Sequence, residues 1–313
     1  MAGCASAAPS PAAQSPSVWA FAAPWDRRSD ASVSANGARL DGVVSGWIAL
    51  DSVTGNASRQ FPDEARMTAL PGNRLALVTS WEGARFHPEI VRRIAGNAAL
   101  LARVANQVAA IVASGGYGGV VFDLEGAART DVSLMLRMIA VVGDSARARG
   151  ATVVAAAIPA GDTTAYPTRA FAGAVDLLVV MLYDEHWSTS APGPIASPQW
   201  VRQMLAQRVA EAGPGKLVAG LPLYGYLWRP GRAAEVVSFG DAVHASTEAS
   251  VELLRDPVSG SLHAISQGNW ELWSSDAEQL RALRSEVADL GVRKVALWRL
   301  GLEDPAVWRT LRR

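Results

Sequence analysis

Eight short apolar runs recur along the chain: VWAFAA (18–23), GVVSGWIAL (42–50), RLALVTS (74–80), GGVVFDL (118–124), ATVVAAAI (151–158), DLLVVMLY (176–183), KLVAGLPL (216–223) and KVALWRL (294–300). Each is continuous rather than alternating, the pattern of strands buried on both faces. Between most of them lie stretches of helical periodicity, clearest at 88–113, 131–149, 197–212 and 276–290, with Asp131, Ser197 and either Ser275 or Asp276 placed to cap them. Strand–helix alternation favours a parallel sheet, and eight such units predict a closed α/β barrel of the (β/α)8, or TIM-barrel, class. The alternation breaks once, between strands seven and eight, where 229–273 carries Gly231, Pro257, Gly260 and Gly268 among strand-like pieces such as SLHAIS and WELW. This predicts a small α+β insertion in a βα loop, on the face of the barrel where active sites are built.

Length agrees with that reading: 313 residues, half of them apolar, suit one barrel of about 250 residues plus an insertion, here assigned to 18–313. The 29 Lys and Arg balance 29 Asp and Glu, so no basic field exists to attract nucleic acid or an anionic membrane surface, and neither is expected as a partner. The single cysteine, Cys4, rules out an intrachain disulfide and a cysteine-based metal site. It follows Ala2 and Gly3 in MAGCASAAPSPAAQSPS, which resembles the end of a bacterial lipoprotein signal leading into a flexible tether over 1–17. Cys4 is therefore a candidate lipid anchor, with the cell envelope or secretion as the expected location; the plainer reading is an incidental cysteine in a tail. No other segment approaches the roughly 18 apolar residues of a membrane span, and a monomer is the expected state.

The stretch that carries chemistry is GGVVFDLEG, Gly118 to Gly126. Side chains in a strand alternate faces, so Val120, Phe122 and Leu124 point outward to the helices and Val121, Asp123 and Glu125 point into the barrel. Two carboxylates are tolerable there because the strand's C-terminal end opens to substrate. Side by side and partly out of water, they raise each other's pKa, so one can stay protonated near neutral pH and act as a general acid. The alternative for this segment is a pair of acids satisfied by Arg or backbone partners at a strand end.

Gly118 to Glu125 resembles the signature of glycoside hydrolase family 18, whose usual form is Asp-Gly-x-Asp-x-Asp-x-Glu. Further matches follow in barrel order: FAAPWD (21–26), LDGVVSGWIALD (40–51), MLYDEHW (181–187), PGPIASPQWV (192–201), GLPLYGYLW (220–228) and ALWRLGLEDPAVW (296–308). They are most similar to the branch of spore-cortex N-acetylglucosaminidases and of chitinase-like domains fused to polysaccharide deacetylases. The resemblance implies a retaining glycosidase acting on β-1,4-linked N-acetylglucosamine glycans such as chitin oligomers, peptidoglycan or poly-N-acetylglucosamine. In that scheme the substrate's own acetamido oxygen attacks the anomeric carbon, an exception to the two-carboxylate route. Glu125 would then be the acid and later the base, and Asp123 would orient the acetamido group. Tyr183, on the face of Met181, would hold the acetamido oxygen with Asp184 at the rim, while Trp298 would floor the sugar subsite. His186 and Trp187 follow in a loop expected to line the cleft, and Tyr224, with Tyr226 and Trp228, is a candidate for further sugar contacts. No cofactor is implied, and His186 has no ligand cluster around it, so no metal is assigned.

Two positions depart from the family pattern. Where many members carry acids this chain has Gly118 and Val121, and Val121 removes the inner carboxylate that can share a proton with Asp123. A catalytically inactive, lectin-like barrel therefore stands as the alternative, although binding alone needs no acid at Glu125. A Schiff-base lyase or aldolase is disfavoured, since the only lysines, Lys216 and Lys294, begin their strands rather than end them.

Overall fold

The computed structural model describes residues 17–61 and 73–311; the tether with Cys4 lies outside them. The eight expected strands are present: β1 Ser17–Phe21, β2 Gly42–Leu50, β3 Asn73–Thr79, β4 Gly119–Asp123, β5 Val153–Pro159, β6 Leu177–Met181, β7 Leu217–Pro222 and β8 Lys294–Trp298. All are parallel to their neighbours, and β8 pairs back onto β1 from Ser17–Lys294 to Ala20–Leu297, closing the barrel. Around it run α1 Arg27–Asn36, α2 Pro88–Gly96, α3 Ala98–Gly115, α4 Val132–Arg147, α5 Thr168–Ala174 and α6 Pro198–Ala212, then α7 Phe239–Glu248, α8 Ala277–Asp289 and α9 Val307–Thr310.

The single helix expected over 88–113 is two. Asn97 is extended, at φ −122° and ψ 111°, and its side chain accepts from the Leu100 amide to start α3 afresh. Ser197 and Asp276 cap α6 and α8 as expected, but the Asp131 carboxylate does not cap α4; it accepts from the Arg92 guanidinium, at 2.7 and 3.0 Å, and from the Ala128 amide. Helix α3 corrects a second expectation, being long and apolar enough by composition to cross a membrane. Here Leu101, Val104, Val108 and Val112 are buried in the layer between helices and sheet, so it serves as a core helix.

Inside the barrel, Trp19, Phe21, Val44, Trp47, Leu75, Leu77, Val121, Ala155, Val179, Val218 and Ala296 form a filled core, and the outward residues Val120, Phe122 and Leu124 pack under the helices. Trp47 belongs to the interior only because β2 is irregular. Val44 pairs with Leu75 and Gly46 with Ala76, so Ser45 is an extra residue, and the bulge reverses the phase of everything after it. Val44 and Trp47 therefore both face inward, three residues apart.

The insertion falls between β7 and α8. Its five antiparallel strands lie in the order 235–237, 225–228, 270–274, 262–266 and 254–255, with α7 packed on one face through Leu227, Val237, Ala242 and Leu272. It starts at Gly225 rather than 229, because the apolar run after β7 turns out of the barrel and becomes an inner strand of the second sheet. The other face carries Tyr224, Tyr226 and Trp228 against Ile195 and Leu302, and it meets the barrel mouth at Tyr183 and Trp298.

The bulge is held by a close contact: a Cβ on Gly46 would lie 2.4 Å from the Tyr117 ring. Gly46→Ala must displace that ring or the strand. A loss of about 1–3 kcal/mol in urea denaturation is expected; an unchanged midpoint would mean that Tyr117 does not pin the bulge.

Candidate active site

Asp123 is the last residue of β4, and Glu125 lies two residues on, where the strand has ended but its alternation persists. Gly126, at φ 75°, then turns the chain away, a conformation that favours glycine. Both carboxylates point into the barrel mouth as expected. Asp123 is buried, and its Oδ2 accepts from the Thr79 hydroxyl at 3.4 Å. Its Oδ1 is also buried and meets no N–H or hydroxyl among the described residues, and the Asp123 and Glu125 carboxyl groups interact by a side-chain hydrogen bond. Burial raises the Asp123 pKa, opposed by those two hydrogen bonds. Burial, then the charges of Asp123 and Asp184, holds Glu125 well above the usual carboxylate range. Among the described residues neither acid has an Arg, Lys or His partner, so these are not acids satisfied by a cation.

Tyr183 follows β6 and stacks at 6.3 Å on Trp298, with 16° between the rings. No partner for its hydroxyl is found among the described residues, and burial, followed by the charges of Glu125 and Asp123, pushes that hydroxyl well above the usual tyrosine range, so it remains a donor. Asp184 adopts φ 61°, a left-handed conformation that Asp tolerates better than most residues. Its Oδ1 accepts from the Tyr224 hydroxyl, and the Tyr226 hydroxyl also bonds the carboxylate. Burial raises its pKa, against those two bonds.

A cavity of about 390 Å³ lies over these groups, with Asp123, Glu125, Met181, Tyr183 and Asp184 at its base and Phe21, Trp25, Trp47, Trp81, Phe86 and Trp298 around it. It adjoins a second hollow of about 370 Å³ that shares Glu125, Met181, Tyr183 and Asp184 and extends over Gly161, Glu185, Trp187, Trp200 and Met204. The groove thus continues on both sides of Glu125. Of the residues singled out from sequence, Asp123, Glu125, Met181, Tyr183, Asp184, Trp187 and Trp298 line it.

Two do not. Tyr224 is only 3% exposed and stands behind Asp184, acting on that carboxylate rather than on a ligand. The His186 ring packs over Gly193, and its Nδ1 lies 3.0 Å from the Ala191 carbonyl. Glu185 faces the groove on the same alternation as Met181, Tyr183 and Trp187, and His186 falls on the opposite side; the Glu185 carboxylate is held by the Ser197 amide and hydroxyl at 2.6 and 3.0 Å. Among the described residues no group of His, Cys, Asp and Glu side chains has the arrangement of a metal site.

Several participants were not legible. Trp25, Trp47 and the hairpin pair Trp81 and Phe86 come from three separate segments; Trp25 meets Trp47 at 4.7 Å and Trp81 meets Phe86 at 5.0 Å. Tyr166, in the loop after β5, donates to the Leu124 carbonyl at 2.8 Å and accepts from the Ala127 amide at 3.3 Å, bracketing Glu125. The FAAPWD run was the one available signal for Trp25.

Fold and site together define a class: a (β/α)8 barrel whose C-terminal mouth holds a desolvated carboxylate pair in an aromatic-walled groove. Residues 78–300 match the model of glycosyl hydrolases family 18, and the chain belongs to that family. It is 23% identical over 253 residues to the cortical fragment-lytic enzyme of Bacillus subtilis (strain 168), covering 76% of this chain and 59% of that protein. The chain spans 59% to 64% of the length of the two curated relatives it matches over the longest stretches. In fold it is similar to the spore cortex-lytic enzyme SleL of Bacillus cereus, with a TM-score of 0.84 at 19% identity over 97% of this chain and 75% of that one. It is also similar to a class V chitinase of Pseudomonas fluorescens Pf-5, with a TM-score of 0.83 at 23% identity over 95% and 98%.

The raised Glu125 pKa has a consequence for stability. A carboxyl whose folded pKa exceeds its unfolded value binds more protons in the native state, so its contribution is present below the unfolded pKa and lost as pH rises through the folded one. Glu125→Gln should therefore melt higher than the unmutated protein at pH 8, with the gain shrinking to nothing near about pH 4. A gain that is the same at both pH values would mean that Glu125 titrates normally.

Proposed function

We propose that this protein is a retaining glycosidase that hydrolyses β-1,4-linked N-acetylglucosamine glycans by substrate-assisted catalysis. The observation that carries the proposal is the Asp123–Glu125 pair, in which burial and a neighbouring charge keep a proton on Glu125 at the centre of the groove. Glu125 donates that proton to the glycosidic oxygen as the bond to the anomeric carbon breaks. The acetamido oxygen of the same sugar attacks that carbon from the opposite face and forms a cationic ring. Asp123 stabilises the ring's N–H and charge, and the Tyr183 hydroxyl and Asp184 lie on the same base to position the acetamido group. Glu125, now ionised, takes a proton from water, whose oxygen opens the ring with overall retention. Trp298 supplies an apolar floor for the sugar ring.

A groove that continues on both sides of Glu125 suits a polymer passing through it. Among the candidate polymers, peptidoglycan is favoured by the relative named for cortical fragments, and chitin by the class V chitinase of the same fold. A cell-envelope or secreted location fits either substrate, with acylation at Cys4 as the proposed anchor; fractionation that leaves the full-length product in the cytoplasm would remove the anchor.

Glu125→Gln keeps the side chain's shape but has no acidic proton, so kcat should fall by about 10²- to 10⁴-fold while oligosaccharide affinity barely changes. Binding of N-acetylglucosamine oligomers without any turnover that this substitution reduces would favour the lectin-like reading instead. Asp123→Asn should also lower kcat, and by removing a negative neighbour it should lower the Glu125 pKa, moving the basic limb of the pH–rate profile toward acid. Asp184→Asn should move the same limb in the same direction by less. A limb that stays in place in both variants would exclude Glu125 as the acid.

Stereochemistry gives a separate check. Proton NMR of the first product should show the retained anomer, and glycosides lacking the acetamido carbonyl should be inert. Early appearance of the inverted anomer, or comparable turnover of a plain glucoside, would sink the substrate-assisted route.

A further inference from the structure

A third hollow, of about 420 Å³, opens outside the barrel on the insertion. Its aromatic residues are Trp270, which is partly exposed, and Trp228, which is buried behind it, and Arg229, Arg232, Asn269 and Glu271 supply polar groups; it shares no lining residue with the two hollows around Glu125. Its wall on the barrel side is the turn Trp187–Ser190, closed by the Ser190 amide on the Trp187 carbonyl at 3.0 Å. Trp187 lines the groove beside Glu125 and is half exposed, while Ser190 lines the third hollow. One tight turn therefore separates the two.

That turn is fixed to the insertion at two points. The Trp228 indole N–H donates to the Ser190 carbonyl at 3.2 Å, and the Ala234 amide donates to the Ser188 carbonyl at 2.7 Å. Behind it, Tyr183, Tyr224, Tyr226 and Trp228 make successive edge contacts at 6.3, 5.4 and 5.4 Å, so a continuous aromatic wall runs from the catalytic base to the outer hollow. The charges in the hollow are balanced. Arg229 pairs with Glu235 at 2.9 Å, and the Glu271 carboxylate, which lines the hollow with Arg232, lies 3.1 Å from His263 Nε2 and accepts from the Trp273 indole N–H at 2.8 Å. An anion would find no net field here; a neutral polyhydroxylated ligand finds the partly exposed Trp270 with amide, guanidinium and carboxylate groups around it.

We infer that this hollow is an outer glycan subsite, which takes sugar units of the same neutral N-acetylated chain that the groove holds, after the chain has crossed the Trp187–Ser190 turn. The inference rests on the proposed function for the identity of the chain, but its signature is different: it concerns the length of the substrate and not the bond-breaking step.

The test compares short N-acetylglucosamine oligomers (dimers and trimers), which fill the groove alone, with long ones (hexamers and above). Trp270→Ala should raise KM for long oligomers by about tenfold, the usual worth of one aromatic stacking contact, leaving kcat and all constants for short oligomers unchanged. Arg232→Ala removes an exposed side chain that the fold does not need and should raise KM for long oligomers by a smaller factor. The same comparison by calorimetry in a Glu125→Gln background reads affinity without turnover. Equal losses on short and long oligomers, or no loss on long ones in both variants, would overturn the outer subsite, as would a loss confined to peptide-bearing strands and absent with chitin oligomers. If no oligomer is turned over but long ones still bind through Trp270, the hydrolase reading fails and the subsite stands.

Discussion

Two carboxylates held out of water at the end of one strand, with no cation beside them, set the terms for the rest of the molecule. Burying an ion costs several kcal/mol even after the surroundings relax, and the usual remedy is a paired Arg or Lys. Here the remedy is a proton. Glu125 keeps it, hydrogen-bonded to the Asp123 carboxylate, whose Oδ2 also accepts from the Thr79 hydroxyl. Such an arrangement is sustainable only in a scaffold that does not yield, and the closed sheet with its filled interior supplies one. The stability given up at this point is recovered in the layer between the strands and helices, where most large side chains are fully buried.

How much of this the sequence revealed follows from which physical signals are local. Continuous apolar runs located all eight strands, and period-two alternation correctly aimed Asp123 and Glu125 inward, because both effects depend on neighbouring residues alone. The same alternation misjudges any stretch in which the backbone changes phase. One extra residue at Ser45 brings Trp47 inside, and a left-handed Asp184 brings a carboxylate to the groove directly after Tyr183, where alternation would turn it away. Neither change has a composition of its own. The aromatic wall is illegible for a different reason: Trp25, Trp47 and the Trp81–Phe86 hairpin pair are scattered over the first third of the chain and come together only when the barrel closes. Tyr224 was legible as an aromatic near the mouth, but its hydroxyl is committed to Asp184, and that distinction belongs to tertiary structure.

Support for Glu125 comes from farther away still. Arg208 on α6 is fully buried without a carboxylate partner, and burial lowers its pKa. Its guanidinium donates to the carbonyls of Pro159, Ala160, Asp162 and Tyr166 and to the Thr168 hydroxyl, at 2.6 to 3.2 Å. A planar group with five donors can satisfy that many acceptors at once, which an ammonium with three cannot. The loop so gathered carries Tyr166, and Tyr166 in turn holds the Leu124 carbonyl and the Ala127 amide on either side of Glu125. An inflexible donor on an outer helix thus fixes, through one loop and one hydroxyl, the segment that presents the acid.

The departure at Val121 can be weighed on the same terms. Where many family members place a third carboxylate inside the barrel, this chain has a fully buried valine in the apolar layer below Asp123. Among the described residues Asp123 therefore has no inner group with which to exchange a proton, and the acid it is hydrogen-bonded to is Glu125. Burial is the first cause of the raised pKa of both acids, ahead of any charge between them, and a valine below the pair makes that burial more complete. Losing the inner acid removes a proton relay while strengthening the desolvation that keeps Glu125 protonated, so the substitution favours a fixed pair over a switching one and leaves the acid intact.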